Sequence, residues 1–368
     1  MLAAPIIEND YRYPAKNKFV FKGEKDNPLL APRGVCFHKN ILVVSDTAQN
    51  RVFIWKQLSG SEYQQATIIL GQTNSFHTER NSGGLVNGSS LLYPSGIWTD
   101  GKLLIVADAW NHRVLIWNNL PTENGQAADI VIGQPDFESN QPNINGLSKP
   151  PSAQSLYWPY GVCSDGKRLW IADTGNRRVL FFETIPTKNY ATADKVIGQI
   201  NFTERDYDNA NAIWPYSVKI SADGRLSIAD TQYYRVLLWN HWQQAFTQTA
   251  HVIVGQPDAE SNGQNQYNLV PRANTLNWCY DCCFIKNKLA VADSGNSRIL
   301  IWNDVPEANN IAADYLIGQP HFSINGESSL SMKTTLENEI YWPFGLSADE
   351  NKLAVADTGN HRIIIYEL

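Results

Sequence analysis

Short apolar runs rich in Val, Ile, Leu and aromatic residues alternate along the chain with clusters of Gly, Asn, Asp and Pro. This is the pattern of short strands joined by tight turns, and no stretch carries the spacing of an amphipathic helix. Residues 156–180, LYWPYGVCSDGKRLWIADTGNRRVL, show the unit most clearly. An aromatic-Pro-aromatic-Gly lead opens an apolar strand, which turns at Ser164-Asp165-Gly166. A second strand ends in Ala172-Asp173, a Thr-Gly-Asn turn follows, and Arg178 opens a third strand. The chain writes this unit six times, led by Pro32, Pro94, Pro159, Pro215, Cys279 and Pro343. The strand-ending aspartates are Asp46, Asp108, Asp173, Asp230, Asp293 and Asp357, 57 to 65 residues apart. Arg51, Arg113, Arg178, Arg235, Arg298 and Arg362 each follow their Asp by five residues. Such a period marks a supersecondary unit that buries its faces only against its neighbours.

A fourth apolar segment ends each of the first five copies on apolar-Gly-Gln, over residues 67–72, 129–134, 195–199, 251–256 and 315–319. The sixth copy has none, because the sequence stops just past Arg362-Ile-Ile-Ile-Tyr, but residues 18–23 (KFVFKG) resemble the missing segment. The expectation is therefore an all-β ring of six four-stranded antiparallel blades spanning 18–368 as one unit. Phe19 to Gly23 would complete the last blade, with residues 1–17 irregular. Closure of this kind removes exposed sheet edges. Asp-Gly pairs at 100–101, 165–166 and 223–224 suit the hairpins between first and second strands. The long Asn/Ser/Gly-rich connections at 75–90, 138–155, 203–211, 259–275 and 323–339 must emerge on the same face as the Asp-Thr-Gly-Asn turns. Binding is expected on that face.

The repeat Pro-x-Gly-Val-x-x-Asp-Gly, followed by Ala-Asp-Thr-Gly-Asn-His-Arg-Val, resembles the NHL repeat, most closely at Asn111-His112-Arg113 and Asn360-His361-Arg362. The resemblance covers about residues 18–368 and implies a six-bladed β-propeller. Relatives of that kind include RNA-binding and protein-binding platforms, a metal-dependent peptide-amidating lyase and distant hydrolase or synthase-like propellers, so the resemblance implies no single function.

Charge and composition narrow the classes. A net charge of -6 over 368 residues argues against a general polyanion binder, so nucleic acid is not the expected partner. No apolar run is long enough to span a membrane. Five cysteines leave at least one unpaired, which points to a reducing, cytoplasmic setting. The alternative is a secreted or periplasmic protein whose leader precedes this sequence. A monomer is expected.

In a repeat protein, a residue present in every copy is read first as building the copy. The six Asp, the six Arg, the Gly-Gln endings, His112 and His361 fall under this reading. The departures from symmetry carry the candidate chemistry. Trp158, Trp214, Trp278 and Trp342 precede four of the leading positions, while Arg33, Tyr160, Tyr216, Tyr280 and Phe344 follow five of them. They serve either inter-blade packing or an aromatic funnel at the channel mouth for an apolar, cationic or sugar-like ligand. Trp110 and Tyr233 replace turn residues, and Trp98 and Lys219 stand at a position that is Cys36, Cys163, Cys283 or Ser347 elsewhere. Lys219's register is ambiguous, because its copy has one extra residue before Asp230. The fifth copy reads Trp278-Cys279-Tyr280-Asp281-Cys282-Cys283, with Cys for Pro and Asp for Gly. Cys279 and Asp281 are candidate nucleophile and acid/base, with Lys219 and Arg33 as partners. Cys36, Cys163 and Cys283, on alternate blades, could face one axis and hold a soft or divalent metal ion. They also read as small buried substitutes for Ala. No phosphate loop, nucleophile elbow or zinc-finger spacing is present. Two expectations follow: a platform recognising a small molecule, glycan or protein on the face of the blade-to-blade connections; alternatively, a lyase, hydrolase or synthase-like enzyme at the channel mouth around Cys279, Tyr280 and Asp281.

Overall fold

A computed structural model describes residues 11–15, 17–205, 213–326 and 339–368. Parts of the expected N-terminal segment and of the connections at 203–211 and 323–339 lie outside the described residues. The β structure is six four-stranded antiparallel sheets, each a meander in chain order except the last. In that sheet Asn17–Phe21 pairs antiparallel with Arg362–Glu367, in a register running from Asn17 opposite Glu367 to Phe21 opposite Ile363. The N-terminal strand thus closes the ring as expected, but it ends two residues early. Gly23 (φ +90°) leaves the strand and bridges instead to Pro28 and Tyr63.

Six apolar clusters fill the six wedges between adjacent sheets. One joins Phe21, Ala354 and Ile363 of the last blade to Val35, Leu42, Phe53 and Trp55 of the first, so the core is continuous around the circle. The strands alternate because each sheet packs on both faces. Along Leu169–Asp173, for example, Trp170 and Ala172 face the fourth blade while Leu169 and Ile171 face the second.

The repeated polar residues lock this geometry. In every copy the Asp Oδ2 accepts from the Arg Nε five residues on, at 2.7–2.8 Å. The other carboxylate oxygen accepts a backbone N–H sixteen residues back, as from Tyr157 to Asp173. The Arg fork then holds carbonyls of the long connections: Arg178 donates to Phe202 O, Ser152 O and Ser155 O. Each Asp thus finds its counter-ion within its own copy, which gives the repeated charges a structural role. The turn after each Asp is a 3-10 turn ending in a left-handed residue, at Asn50, His112, Arg177, Tyr234, Ser297 and His361. His112 Nδ1 accepts the backbone N–H of Trp158, His361 Nδ1 that of Ala31, and Asn50 Oδ1 that of Tyr93. The signature histidines therefore stitch neighbouring blades together. Their turns also supply hydroxyls to the next blade, and Thr358 Oγ1 donates to Pro32 O across the ring closure.

Candidate functional site

The residues after the leading positions converge where the inner strands begin. Tyr160 stacks on Tyr216 (centroids 4.7 Å apart, 11°), Tyr216 meets Tyr280 edge-on (4.6 Å), and Tyr280 stacks on Phe344 (4.1 Å). The Arg33 guanidinium lies 4.0 Å from the Phe344 centroid and 5.0 Å from that of Tyr93, and donates to Tyr216 Oη at 3.0 Å. Tyr93 stacks on Trp110 (4.4 Å), whose Nε1 donates to Tyr160 Oη at 3.2 Å. These contacts make a stopper: of the two readings the sequence left open, the rings pack against one another across neighbouring blades rather than lining an open funnel. The space beneath it is about 30 Å³, roughly one water. Burial raises the hydroxyl pKa of Tyr93, to about 12, and also those of Tyr160 and Tyr280, so these phenols stay protonated.

The tryptophans stand back from this stopper. Trp158 stacks on Tyr157, Trp278 meets Tyr234 edge-on, and Trp342 is 6.4 Å from Phe344. Trp158, Trp278 and Trp342 sit at φ 49–50°, a left-handed conformation that L-residues adopt only when their surroundings hold them there. Trp214 is not their equivalent. Its N–H bonds Asp230 Oδ1, the bond that Tyr157, Asn277 and Tyr341 make in their own blades, and its ring lies under Arg177. Tyr233 packs under Arg235.

Below the stopper, Lys219 Nζ pairs with Asp281 Oδ2 at 3.0 Å and donates to Leu346 O at 2.9 Å. Asp281 Oδ2 also accepts the Leu346 N–H (2.8 Å), and Oδ1 the Cys282 N–H (2.9 Å). The pair ties the fourth, fifth and sixth blades together across the channel. Lys219 lies opposite Ser227, three residues before Asp230, as Cys36, Cys163 and Cys283 lie opposite residues three before their own Asp. The register is thus regular, and the extra residue sits in the Ser221–Arg225 hairpin. Burial opposes the Lys219 charge most strongly of any single influence, but the Asp281 carboxylate and its hydrogen bond, together with Cys163 and Cys283, outweigh it and the ammonium pKa is raised.

Cys279 does not join this pair. It is fully buried between the fourth and fifth blades, its Sγ donates to Arg235 O at 3.2 Å, and burial with nearby Asp293 pushes its thiol far above the usual range. Cys36, Cys163 and Cys283 line one lower chamber of about 350 Å³ together with Trp98 and Lys219. Each thiol nevertheless turns into a different inter-blade core. Among the described residues no three His, Cys, Asp or Glu side chains are grouped to hold a metal ion. Of the two readings the sequence left open for these cysteines, their places in three separate inter-blade cores favour small buried substitutes over ligands of one ion. Burial raises the pKa of all three, that of Cys163 to about 11.

Two features escaped the sequence reading. Tyr93 belongs to the stopper, brought there by stacking on Trp110. The long connections also share a rigid device: Asn81, Asn143 and Asn265, each nine residues after the Gly-Gln glutamine, exchange amide hydrogen bonds with turn residues Asn111, Asn176 and Asn296. The constant nine-residue spacing is the signal that could have shown it.

Compared with known proteins, the chain matches no family model and no curated protein. It is similar in structure to a protein of unknown function from Bacteroides thetaiotaomicron VPI-5482, with 10% identity over 95% of this chain and 75% of that one and a TM-score of 0.51. It is also similar to a streptogramin B lyase (11% identity, 95% and 97% covered, TM-score 0.48). A virginiamycin B lyase from Staphylococcus aureus gives 10% identity, 96% and 98% covered, and a TM-score of 0.47. At these identities the likeness concerns the fold alone. The class is thus a six-bladed β-propeller with four antiparallel strands per blade, closed by its N-terminal strand.

Proposed function

We propose that the chain is a binding platform whose partner is a protein, held on the face of the blade-to-blade connections. The carrying observation is where apolar surface is exposed. Among the described residues, the five most exposed large apolar side chains are Leu269 (96%), Leu85 (89%), Ile200, Tyr267 and Phe76, and all lie in those connections. They come from the connections between blades one and two, three and four, and four and five, and loops on a rigid scaffold are where binding usually sits. The paired Asn amides and the Arg forks hold the loops, which lowers the ordering cost of binding. The stopper leaves no room for a drug-sized guest inside the mouth, so a partner would rest on the surface. At the mouth, this favours a protein over a small molecule or glycan.

The enzyme reading is less well supported, because Cys279 is sealed in the core and Asp281 is already committed to Lys219 and two backbone N–H groups. The platform reading is tested by comparing proteins captured from the host by the wild type and by a Leu85→Asp, Leu269→Asp variant, followed by titration of the purified candidate. Loss of binding in a folded variant supports the reading. Equal binding by both proteins sinks it.

A further inference from the structure

The stopper is rich in hydrogen-bond donors and poor in acceptors. Arg33 carries five N–H donors, and one of them goes to Tyr216 Oη. No carboxylate among the described residues pairs with it, and its faces are covered by the Phe344 and Tyr93 rings. The one acid lining the same space, Asp281, is taken by Lys219, Leu346 N–H and Cys282 N–H. Tyr216 Oη accepts from Arg33, and Tyr160 Oη accepts from Trp110 Nε1, so each hydroxyl keeps its own hydrogen to donate. A guanidinium set between two rings, with no carboxylate partner among the described residues, beside the Tyr216 hydroxyl and the Tyr160 ring stacked on it, offers a planar fork that matches a carboxylate.

We propose that Arg33, with the hydroxyls of Tyr160 and Tyr216, is a carboxylate-recognition point that receives an acidic side chain or C-terminal carboxylate of the docked protein. The identity of the carboxylate's bearer rests on the platform reading, whereas the carboxylate chemistry does not. The surrounding exposed apolar residues dock the partner, and the point at the channel axis orients it. Desolvation by the partner strengthens the charge pair at the centre of such an interface.

Ligand-observed NMR titration with sodium benzoate tests the chemistry directly, with benzamide as the neutral isostere and inorganic phosphate as the competing anion. Saturable benzoate binding is expected, with benzamide weaker by about ten-fold or more, since hydrogen bonds to a charged group are the stronger kind. Arg33→Met should bring benzoate down to the benzamide level. Arg33→Lys, which keeps the charge but loses the fork, should fall between. Circular dichroism and the thermal midpoint establish that each variant is folded, and Arg33→Lys carries the test if Arg33→Met does not fold. Equal binding of benzoate and benzamide, unchanged benzoate binding in the Arg33 variants, or phosphate competing as well as benzoate would overturn the proposal. If benzoate behaves as expected while the Leu85→Asp, Leu269→Asp variant keeps every captured protein, the platform reading fails and the bearer is not a docked protein.

Discussion

His112 shows how a repeat signature earns its place one residue at a time. It stands in a left-handed position at φ 56° and accepts the Trp158 N–H through Nδ1, which only the neutral ring can do. Burial lowers its pKa from 6.5 to about 4. A base with a depressed folded pKa binds fewer protons in the native state than in the unfolded state. Its contribution is therefore full above pH 6.5 and is lost as pH falls from about 6.5 towards about 4, by at most about 3 kcal/mol. His112→Asn should remove this slope, because Asn50 already performs the same task in the first blade. The check is denaturant unfolding of both proteins at pH 7 and pH 5. The gap between them should narrow or reverse at the lower pH, and a constant gap would refute the assignment. The cysteines make a second residue-scale case. All five are free and buried, so Ellman's reagent should titrate no thiol rapidly in the native protein and five after denaturation. A fast-reacting thiol would show that the lower chamber is open to reagents.

At the scale of elements, closure of the ring depends on Asn17–Phe21. Phe21 is fully buried and meets Trp55 edge-on at 4.7 Å, linking the last blade to the first. Phe21→Ala should cost about 3–5 kcal/mol in chemical denaturation, as for other large buried aromatics. The Lys219–Asp281 pair is a second element-scale link, across three inner strands. Lys219→Ser leaves the mostly buried Asp281 without its cation, and Asp281→Gly leaves Lys219 without its anion. Either change should cost about 2–4 kcal/mol. The double variant returns both positions to residue types found in other blades, so its cost should fall short of the sum by about 1–3 kcal/mol. Strict additivity in urea unfolding would mean that the pair is uncoupled.

On the scale of the whole molecule, the two ends of the channel differ. The upper end is stoppered by aromatic rings and bordered by loops with exposed apolar residues, while the lower chamber has a mixed lining that includes the three thiols, Lys219, Asp100, Asp165 and His38. The asymmetry follows from connectivity, because every long connection must return to the end where the next inner strand begins. Binding of any partner on the upper face should depend weakly on salt if apolar contact dominates, with a modest slope from Arg33. A steep salt dependence would point to a polyanion instead.

The number of blades, the strand order, the closing N-terminal strand and the structural role of the repeated Asp and Arg were all legible in one sequence, because each is written as a period that six copies enforce together. The placement of Arg33, Tyr160, Tyr216, Tyr280 and Phe344 at one mouth was legible for the same reason. What those side chains do there was not, because the stacking of Tyr280 on Phe344 between adjacent blades and the reach of Arg33 to Tyr216 across the ring depend on distances that no spacing encodes. The choice between metal, nucleophile and core readings of the cysteines was open for the same reason: a position in the repeat says which blade carries a thiol, but inter-blade packing decides its surroundings. Symmetry is a property of the chain, whereas the closing of the mouth and the sealing of the thiols arise only when six non-identical blades are brought around one axis.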